Sequence, residues 1–188
     1  MVKVGFIAEG ESEKKVLESD KFQEFLQSLA IECVLPVIDA NGNKNQLPHN
    51  REVTVQTLRD LGASYIFILT DKDQEQCFTS IKDRIKPGID EKVIVSVKQI
   101  EAWFLADEPA MKNFLQTETY SCDNPESFDD PLDEIKKIRL SANGRGVNDK
   151  LILTKRMIQS GFSIENAASH PNCPSAKYFI ERLKSAVS

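Results

Sequence analysis

Residues 64–70 of the chain read SYIFILT and run directly into Asp71-Lys72-Asp73. The SYIFILT run is almost wholly apolar and rich in β-branched and aromatic residues, which is typical of a strand buried on both faces of a parallel sheet. Shorter apolar runs predict further strands at residues 2–8, 31–38 and 92–97. The sequence therefore predicts a mostly parallel sheet of about four strands.

Helical patterns lie between and after these predicted strands. They cover residues 12–30, 51–61, 74–85 and 101–115, and Ser12 is the expected N-cap of the first helix. Strand and helix thus alternate four times. This order predicts an α/β, Rossmann-like fold in which helices flank the sheet through right-handed crossovers.

Beyond residue 115 the character of the chain changes. Residues 117–133 are polar and contain prolines, and residues 141–147 have the composition of a flexible basic loop. Helical patterns return at residues 132–140, 148–159 and 175–186. We therefore expect an α/β core over residues 1–115 and, over residues 116–188, a loop and a C-terminal helical extension packed on that core.

The composition excludes several classes of protein. With 40% hydrophobic residues the chain is not disordered, and no apolar run approaches the ~18 residues that a membrane span needs. The first residues lack the apolar segment and cleavage site of a signal peptide. The four cysteines are far apart and form no C-x-x-C pair, which argues against a zinc site or a disulfide framework. We expect a reduced, cytoplasmic protein that does not bind membranes. Binding to a partner protein or to further copies of the chain is compatible with the sequence.

The formal net charge of 24 − 29 = −5 hides an asymmetry along the chain. Residues 1–130 contain 14 Lys and Arg against 24 Asp and Glu, whereas residues 131–188 contain 10 against 5, so the two segments carry −10 and +5. An acidic total argues against nucleic-acid binding. Two bound divalent cations, however, would change −5 to −1. The basic C-terminal segment is then the expected place for phosphates to bind.

Acidic residues follow the carboxyl ends of the predicted strands, where ligands bind in open α/β sheets. Glu9 follows the first strand, Asp71 and Asp73 follow the third, and Glu101 lies a few residues beyond the fourth. Their hard oxygen atoms suit Mg²⁺ or Mn²⁺. Residues i and i+2 of an extended segment point the same way, so Asp71 and Asp73 could share one ion. Gly10 has no Cβ and would let an ion or phosphate approach the backbone.

Each of these residues also has a purely structural interpretation. Glu11 and Glu13 would suit the positive end of the first helix. Asp71 and Asp73 would suit a turn or a helix cap. Other polar and aromatic residues are interpreted structurally from the start: Asp39 as a turn residue, Asp107 as a helix cap, His49 and His170 as surface residues, and Trp103 and Phe104 as core residues.

Two motifs, in this order, resemble those of the Toprim domain. Residues 9–13 read EGESE after the first strand, an E-G-x-x-E pattern, and residues 71–73 read DKD after an apolar strand, a D-x-D pattern. Toprim domains occur in type IA and type II topoisomerases, bacterial primases, small ribosomal-RNA maturases and the OLD (overcoming lysogenization defect) nucleases. EAWFLAD at residues 101–107 and CPSAKYF at residues 173–179 further resemble segments of a family of small bacterial Toprim-like proteins of uncharacterised function.

The resemblance implies a role for each acidic residue. Glu9 would be the Toprim glutamate, a metal ligand or general acid/base at the scissile phosphate. Glu13, Asp71 and Asp73 would bind the metal. Glu101 would complete a second site, as in the OLD-type nucleases.

One departure from the topoisomerase pattern favours the nuclease branch of this group. Topoisomerases carry a third Asp two positions after D-x-D, where this chain has Glu75. We therefore expect a divalent-metal-dependent phosphodiester hydrolase, a Toprim-type nuclease that acts on DNA or RNA in phage defence or mobile-element control. It would use two Mg²⁺ or Mn²⁺ ions to activate a water molecule and to stabilise both oxygens of the displacement.

Basic residues of the C-terminal segment would complete such a site. A cation is needed for the charge that develops at phosphorus, and Lys150 and Lys177 are the candidate catalytic lysines. Arg145, Lys155 and Arg156 are the candidate contacts to nucleic-acid phosphates. For each of them, the alternative is a solvated lysine or arginine on a helix face.

Two other functions are compatible with parts of the sequence. The first is a non-catalytic Toprim-like module that binds nucleic acid or a partner protein. The second is a receiver-like domain phosphorylated on Asp71. A receiver would need a fifth strand that ends in lysine, which the sequence lacks, and it leaves Glu13 and Glu101 unexplained.

Overall fold

The N-terminal half of the chain forms a parallel sheet. A computed structural model describes residues 1–72, 77–143, 146–147 and 149–187. Within them a four-stranded, all-parallel sheet has the strand order β2-β1-β3-β4. The strands are Val2–Ala8 (β1), Ile31–Asp39 (β2), Tyr65–Asp71 (β3) and Glu91–Ser96 (β4). The predicted α/β class, with about four parallel strands flanked by helices, is confirmed.

Helices connect the strands and make up most of the remaining chain. Those that precede or follow the strands are Glu11–Leu17 (α1), Asp20–Ser28 (α2), Pro48–Asp60 (α3) and Phe78–Ile85 (α4). Those beyond the sheet are Glu101–Ala106 (α5), Glu108–Leu115 (α6), Pro131–Asn143 (α7), Lys150–Gln159 (α8), Ile164–Ser169 (α9) and Pro174–Ser185 (α10). Short 3₁₀ turns occur at Asn43–Gln46 and Pro125–Ser127.

The described chain divides into two compact units. The first unit comprises Met1–Val95 and Glu181–Ser188, and the second comprises Ser96–Ile180. The boundary predicted at residue 115 therefore falls inside the second unit. Among the described residues, no helix combines the length and apolar character that crossing a membrane requires.

Both faces of the sheet in the first unit are covered by apolar side chains. Ile7 and Ile68 belong to one buried cluster, which also contains Leu58 of α3 and Ile81 of α4. The residues next to them in sequence point to the opposite face, where the Phe6 ring lies 5.7 Å from the rings of both Phe67 and Phe22. Burial on both faces explains why the central strands are continuous apolar runs rather than alternating ones.

The helical pattern of residues 12–30 forms two helices rather than one. Helix α1 ends at Leu17, and α2 begins at Asp20 after Ser19, which has an extended backbone (ψ 146°). The expected N-cap is also wrong, because Gly10 occupies that position and Ser12 lies buried inside α1. The sequence analysis also missed α9, a helix of six residues that is too short to show a periodic pattern.

Candidate functional site

The carboxylate of Glu9 connects the carboxyl ends of two neighbouring strands. Strands β1 and β3 are parallel, and Ala8 pairs with Leu69, so Glu9 lies beside the end of β3. Thr70 donates a hydrogen bond from Oγ1 to Glu9 Oε2 at 2.6 Å, and the backbone N–H of Asp71 donates to the same oxygen at 3.0 Å. Two donors to one oxygen fix the orientation of the carboxylate. The register of the two strands thus positions a carboxylate at the sheet edge.

Thr70 joins the candidate site, and its role depends on a contact that local sequence does not indicate. Its side chain is fully buried at the end of β3, yet it bears the hydroxyl that binds Glu9. A hydroxyl residue directly before the D-x-D motif, at the end of an apolar strand, was the only available signal.

Glu13 is buried beside Gly10 at the start of α1. It is only 2% exposed. A Cβ atom on residue 10 would lie 3.2 Å from Glu13 Oε2, closer than an ordinary van der Waals contact, so the glycine leaves room for this carboxylate. Glu11, in the same turn, is exposed and forms an ion pair with Lys15 at 2.8 Å. The interpretation as a surface acid of a helix start therefore suits Glu11, whereas burial sets Glu13 apart.

The acidic residues after the other strands have different environments. Asp71, the last residue of β3, is 7% exposed and donates its backbone N–H to Glu9. Asp73 lies outside the described residues. The expectation that Asp71 and Asp73 share one ion therefore stays a prediction. Asp39 accepts a hydrogen bond from the backbone N–H of Asn41 at 2.7 Å, which confirms its prediction as a turn residue.

The donor atoms at this sheet edge fit a divalent cation by chemistry. Glu9, Glu13 and Asp71 offer carboxylate oxygens, which Mg²⁺ and Mn²⁺ prefer as ligands. Across residues 1–72, 77–143, 146–147 and 149–187, however, no three His, Cys, Asp or Glu side chains are grouped closely enough to hold a metal ion. Four carboxylates are expected to bind metal in this unit, and the fourth, that of Asp73, lies outside the described residues. The use of Mg²⁺ or Mn²⁺ stays a prediction.

Glu101 and Lys150, both predicted as site residues, form an ion pair within the second unit. Glu101 begins α5 and is fully buried, and Lys150 begins α8 with its side chain one-third exposed. Lys150 Nζ lies 3.3 Å from Glu101 Oε2. Asp149, the N-cap of α8, accepts a hydrogen bond from the N–H of Ile152 at 2.7 Å and so fixes the turn that carries the lysine. The buried carboxylate thus has a cation beside it.

The other basic residues of the predicted site lie on helix surfaces. Lys155 and Arg156 are exposed on α8, and Lys177 is exposed on α10. Arg145 lies outside the described residues. Their exposure is compatible both with contacts to phosphates and with solvated helix faces, so these assignments stay predictions.

The EAWFLAD and CPSAKYF segments meet in the core of the second unit. Trp103 donates from Nε1 to Ser175 Oγ at 2.7 Å, and its ring stacks on Phe179 with 5.9 Å between centroids. Ser175 in turn binds Glu126 through its hydroxyl and, at 3.0 Å, through its backbone N–H. Burial and the adjacent Glu126 carboxylate raise the pKa of the Cys173 thiol. Trp103 and Phe104 are fully buried, as predicted, and the two segments have a structural role here.

Asp107 and His49 have the environments that the sequence predicts, whereas His170 does not. Asp107 accepts a hydrogen bond from the N–H of Ala110 at 3.1 Å and caps α6, as predicted. His49 is exposed, which confirms that prediction. His170 is half-buried instead. Its Nε2 lies 2.8 Å from the carbonyl oxygen of Cys122, and its Nδ1 accepts the N–H of Asn172, so the ring joins two loops.

Comparison with known proteins identifies a family but no characterised relative. No curated protein and no solved structure matches the chain. One family model matches residues 8–184, which include most of both compact units and every candidate site residue. The chain therefore belongs to the family described as a domain of unknown function, DUF4276.

Proposed function

We propose that this protein is a divalent-metal-dependent phosphodiester hydrolase of Toprim type that acts on DNA or RNA. The observation that carries the proposal is the held carboxylate of Glu9, bound by Thr70 and Asp71 across the ends of two parallel strands. Two further carboxylates are buried in the same unit, that of Glu13 in the first turn of α1 and that of Asp71 at the end of β3. Carboxylates are expensive to bury unless cations or hydrogen bonds compensate their charge.

The acidic residues of the first unit would have two roles, cation binding and contact with the reacting groups. Glu13 and Asp71, together with Asp73, would hold the cation, which when bound stabilises the charge of the displacement and lowers the pKa of a bound water molecule. Glu9 cannot rotate freely, because two donors bind Oε2. It would therefore present its carboxylate to the reacting water or to the leaving oxygen in a constant orientation. Preorganisation of this kind avoids a reorganisation cost during the reaction.

The test compares Glu13 with Glu11, which occupies the same helical turn. Calorimetry would measure Mn²⁺ binding, and gel assays would follow cleavage of supercoiled plasmid and structured RNA. We expect Glu13→Gln and Asp71→Asn each to weaken Mn²⁺ binding at least tenfold and to abolish cleavage. Glu11→Gln, which removes an exposed ion pair with Lys15, should leave both unchanged.

Two results would contradict the proposal. One is Mn²⁺ binding that survives the double substitution Asp71→Asn/Asp73→Asn. The other is an equal loss of cleavage in the Glu11 and Glu13 variants, since this would indicate damage to α1 rather than to a site.

A non-catalytic module that binds nucleic acid or a protein is the second candidate. The observation that favours it is the Glu101–Lys150 ion pair, in which two residues expected to serve a reaction bind each other at 3.3 Å. This candidate predicts that oligonucleotide binding survives Glu13→Gln and Asp71→Asn, with no cleavage by any variant.

A further inference from the structure

A polar cleft lies within the second unit, between helices α6, α7 and α8. Its volume is about 310 Å³, at the lower end of the range for small-molecule sites. The described residues that line it include two arginines, Arg139 and Arg156, and no acidic side chain. Asn113, Gln116 and Gln159 add side-chain amides. A cleft lined by guanidinium and amide groups is rich in hydrogen-bond donors.

Arg139 is the buried arginine of this cleft. It is 8% exposed, its guanidinium carbon lies 4.1 Å from the centre of the Phe114 ring, and Nη1 donates a hydrogen bond to the Phe114 carbonyl oxygen. Stacking and hydrogen bonding therefore fix the plane of the guanidinium. Arg156, which is exposed on α8, also lines the cleft.

The charge of the cleft is decided by the arginines rather than by the helix ends. Helices α6 and α8 both end beside it, at Leu115 and Gln159, and each helix C-terminus carries roughly −0.5 charge. Two guanidinium groups contribute about +2 against about −1 from the two helix ends, so the lining retains about +1. An anion is therefore favoured over a cation.

We propose that this cleft binds a phosphate group. Guanidinium groups match the oxygens of carboxylates and phosphates in a two-pronged geometry. Side chains of α6, α7 and α8 line the cleft, and the Asn113 amide already donates to the carbonyl oxygen of Ser160 at 3.0 Å, so the two arginines are the main donors to a ligand. A carboxylate has only two oxygens in one plane. A tetrahedral phosphate presents three or four oxygens in different directions and can accept from all sides. The inference goes beyond the proposed hydrolase function and does not depend on the metal chemistry of the first unit.

The test uses the full chain in EDTA, so that no divalent metal contributes. Calorimetry would measure the binding of inorganic phosphate and of a 5′-mononucleotide, and fluorescence anisotropy would measure the binding of a single-stranded oligonucleotide. We expect Arg156→Gln to weaken phosphate binding at least tenfold. Lys137→Gln is the matched control, because Lys137 is an exposed lysine of α7, two residues before Arg139, and does not line the cleft. It should change the affinity less than twofold, and Gln159→Glu should weaken binding as Arg156→Gln does.

The two probe types distinguish the sources of the phosphate. A mononucleotide that competes with inorganic phosphate indicates a free phosphate ester as the ligand. For the oligonucleotide, the slope of log affinity against log salt concentration is measured. If this slope falls by about one in Arg156→Gln, the ligand is a polynucleotide backbone. The proposal is overturned if no probe binds with a dissociation constant below about 10 mM, or if Arg156→Gln and Lys137→Gln have the same effect. Loss of cleavage by Asp71→Asn with unchanged phosphate binding would separate this site from the hydrolase site.

Discussion

At the scale of single residues, the clearest feature is a buried ion pair that the sequence did not indicate. Arg51 and Glu91 are 4% and 8% exposed, and Arg51 Nη2 lies 2.6 Å from Glu91 Oε2. The other guanidinium hydrogens are donated to Glu91 again and to the carbonyl oxygens of Gln46, Ile85 and Lys86. All five donors of the arginine are therefore used, which is the condition for burying such a charge.

Removal of this arginine should destabilise the fold strongly. We expect Arg51→Ala to lower the free energy of unfolding by about 3–5 kcal/mol, because it leaves Glu91 as an uncompensated buried charge. Arg59 is the matched control, since it lies 4.0 Å from the other oxygen of Glu91 and its side chain is 45% exposed. Arg59→Ala should cost about 1 kcal/mol or less. Urea denaturation measures both, and equal losses would show that the buried pair has no special weight.

The four cysteines should differ in reactivity. Hydrogen bonds from the Thr79 side chain and from the backbone N–H groups of Thr79 and Ser80 lower the pKa of the exposed Cys77 thiol below its usual 9.0. Burial raises the pKa of Cys33 to about 11 and also raises the pKa values of Cys122 and Cys173. The thiolate is the reactive form. Cys77 should therefore be alkylated first as the pH rises.

Mass spectrometry after brief iodoacetamide treatment at pH 7 to 10 measures this order. The alkylation rate of Cys77 should reach half its maximum below pH 9.0. A Thr79→Val variant, which removes the largest contribution, should shift that midpoint upward. A midpoint at or above 9.0 in the unmodified protein would contradict the assignment.

At the scale of elements, the starts of α6 and α8 are capped by aspartates that differ in burial. Asp107 is fully buried and accepts hydrogen bonds from the N–H of Ala110, the N–H of Ser163 and the amide of Asn166. It therefore both caps α6 and joins the start of α9 to it. Asp149 caps α8 through the N–H of Ile152 and is exposed.

The two caps should contribute unequally to stability. We expect Asp107→Ala to cost about 2–4 kcal/mol, of which about 1 kcal/mol is the lost cap and the rest is the penalty for orphaned buried donors. Asp149→Ala should cost about 1 kcal/mol. Chemical denaturation monitored by circular dichroism compares them. Similar losses for both variants would mean that the contacts of Asp107 to α9 contribute nothing.

At the scale of the whole molecule, the distribution of charge predicts that metal binding strengthens nucleic-acid binding. The formal net charge is −5, with −10 on residues 1–130 and +5 on residues 131–188. If the proposed hydrolase site holds two divalent ions, the total becomes −1. Repulsion between an acidic protein and phosphates is then largely removed.

Nucleic-acid binding should accordingly depend on the metal. We expect a labelled oligonucleotide to bind at least tenfold more tightly in Mg²⁺ than in EDTA at equal ionic strength, as measured by fluorescence anisotropy. An Asp71→Asn/Asp73→Asn variant serves as the control, because it should lose most of this difference. An affinity that is the same in Mg²⁺ and EDTA would contradict the proposed link.

Local sequence was sufficient wherever a feature depends on neighbouring residues. The four strands were predicted to within one or two residues, because buried parallel strands are continuous apolar runs. The turn at Asp39 and the cap at Asp107 were predicted for the same reason, since each side chain binds a backbone N–H two or three residues away. The break between α1 and α2 was missed, because one helical pattern continues across it.

Local sequence thus specifies the parallel α/β sheet and the acidic residues that follow its strands. Which of these residues are held, and by which partners, depends on tertiary packing. Thr70 binds Glu9 across 61 positions of the chain, and Arg51 binds Glu91 across 40. Lys150 likewise reaches Glu101 from another helix. Such contacts depend on strand register and helix packing, which bring distant residues together and which no local pattern of residues specifies.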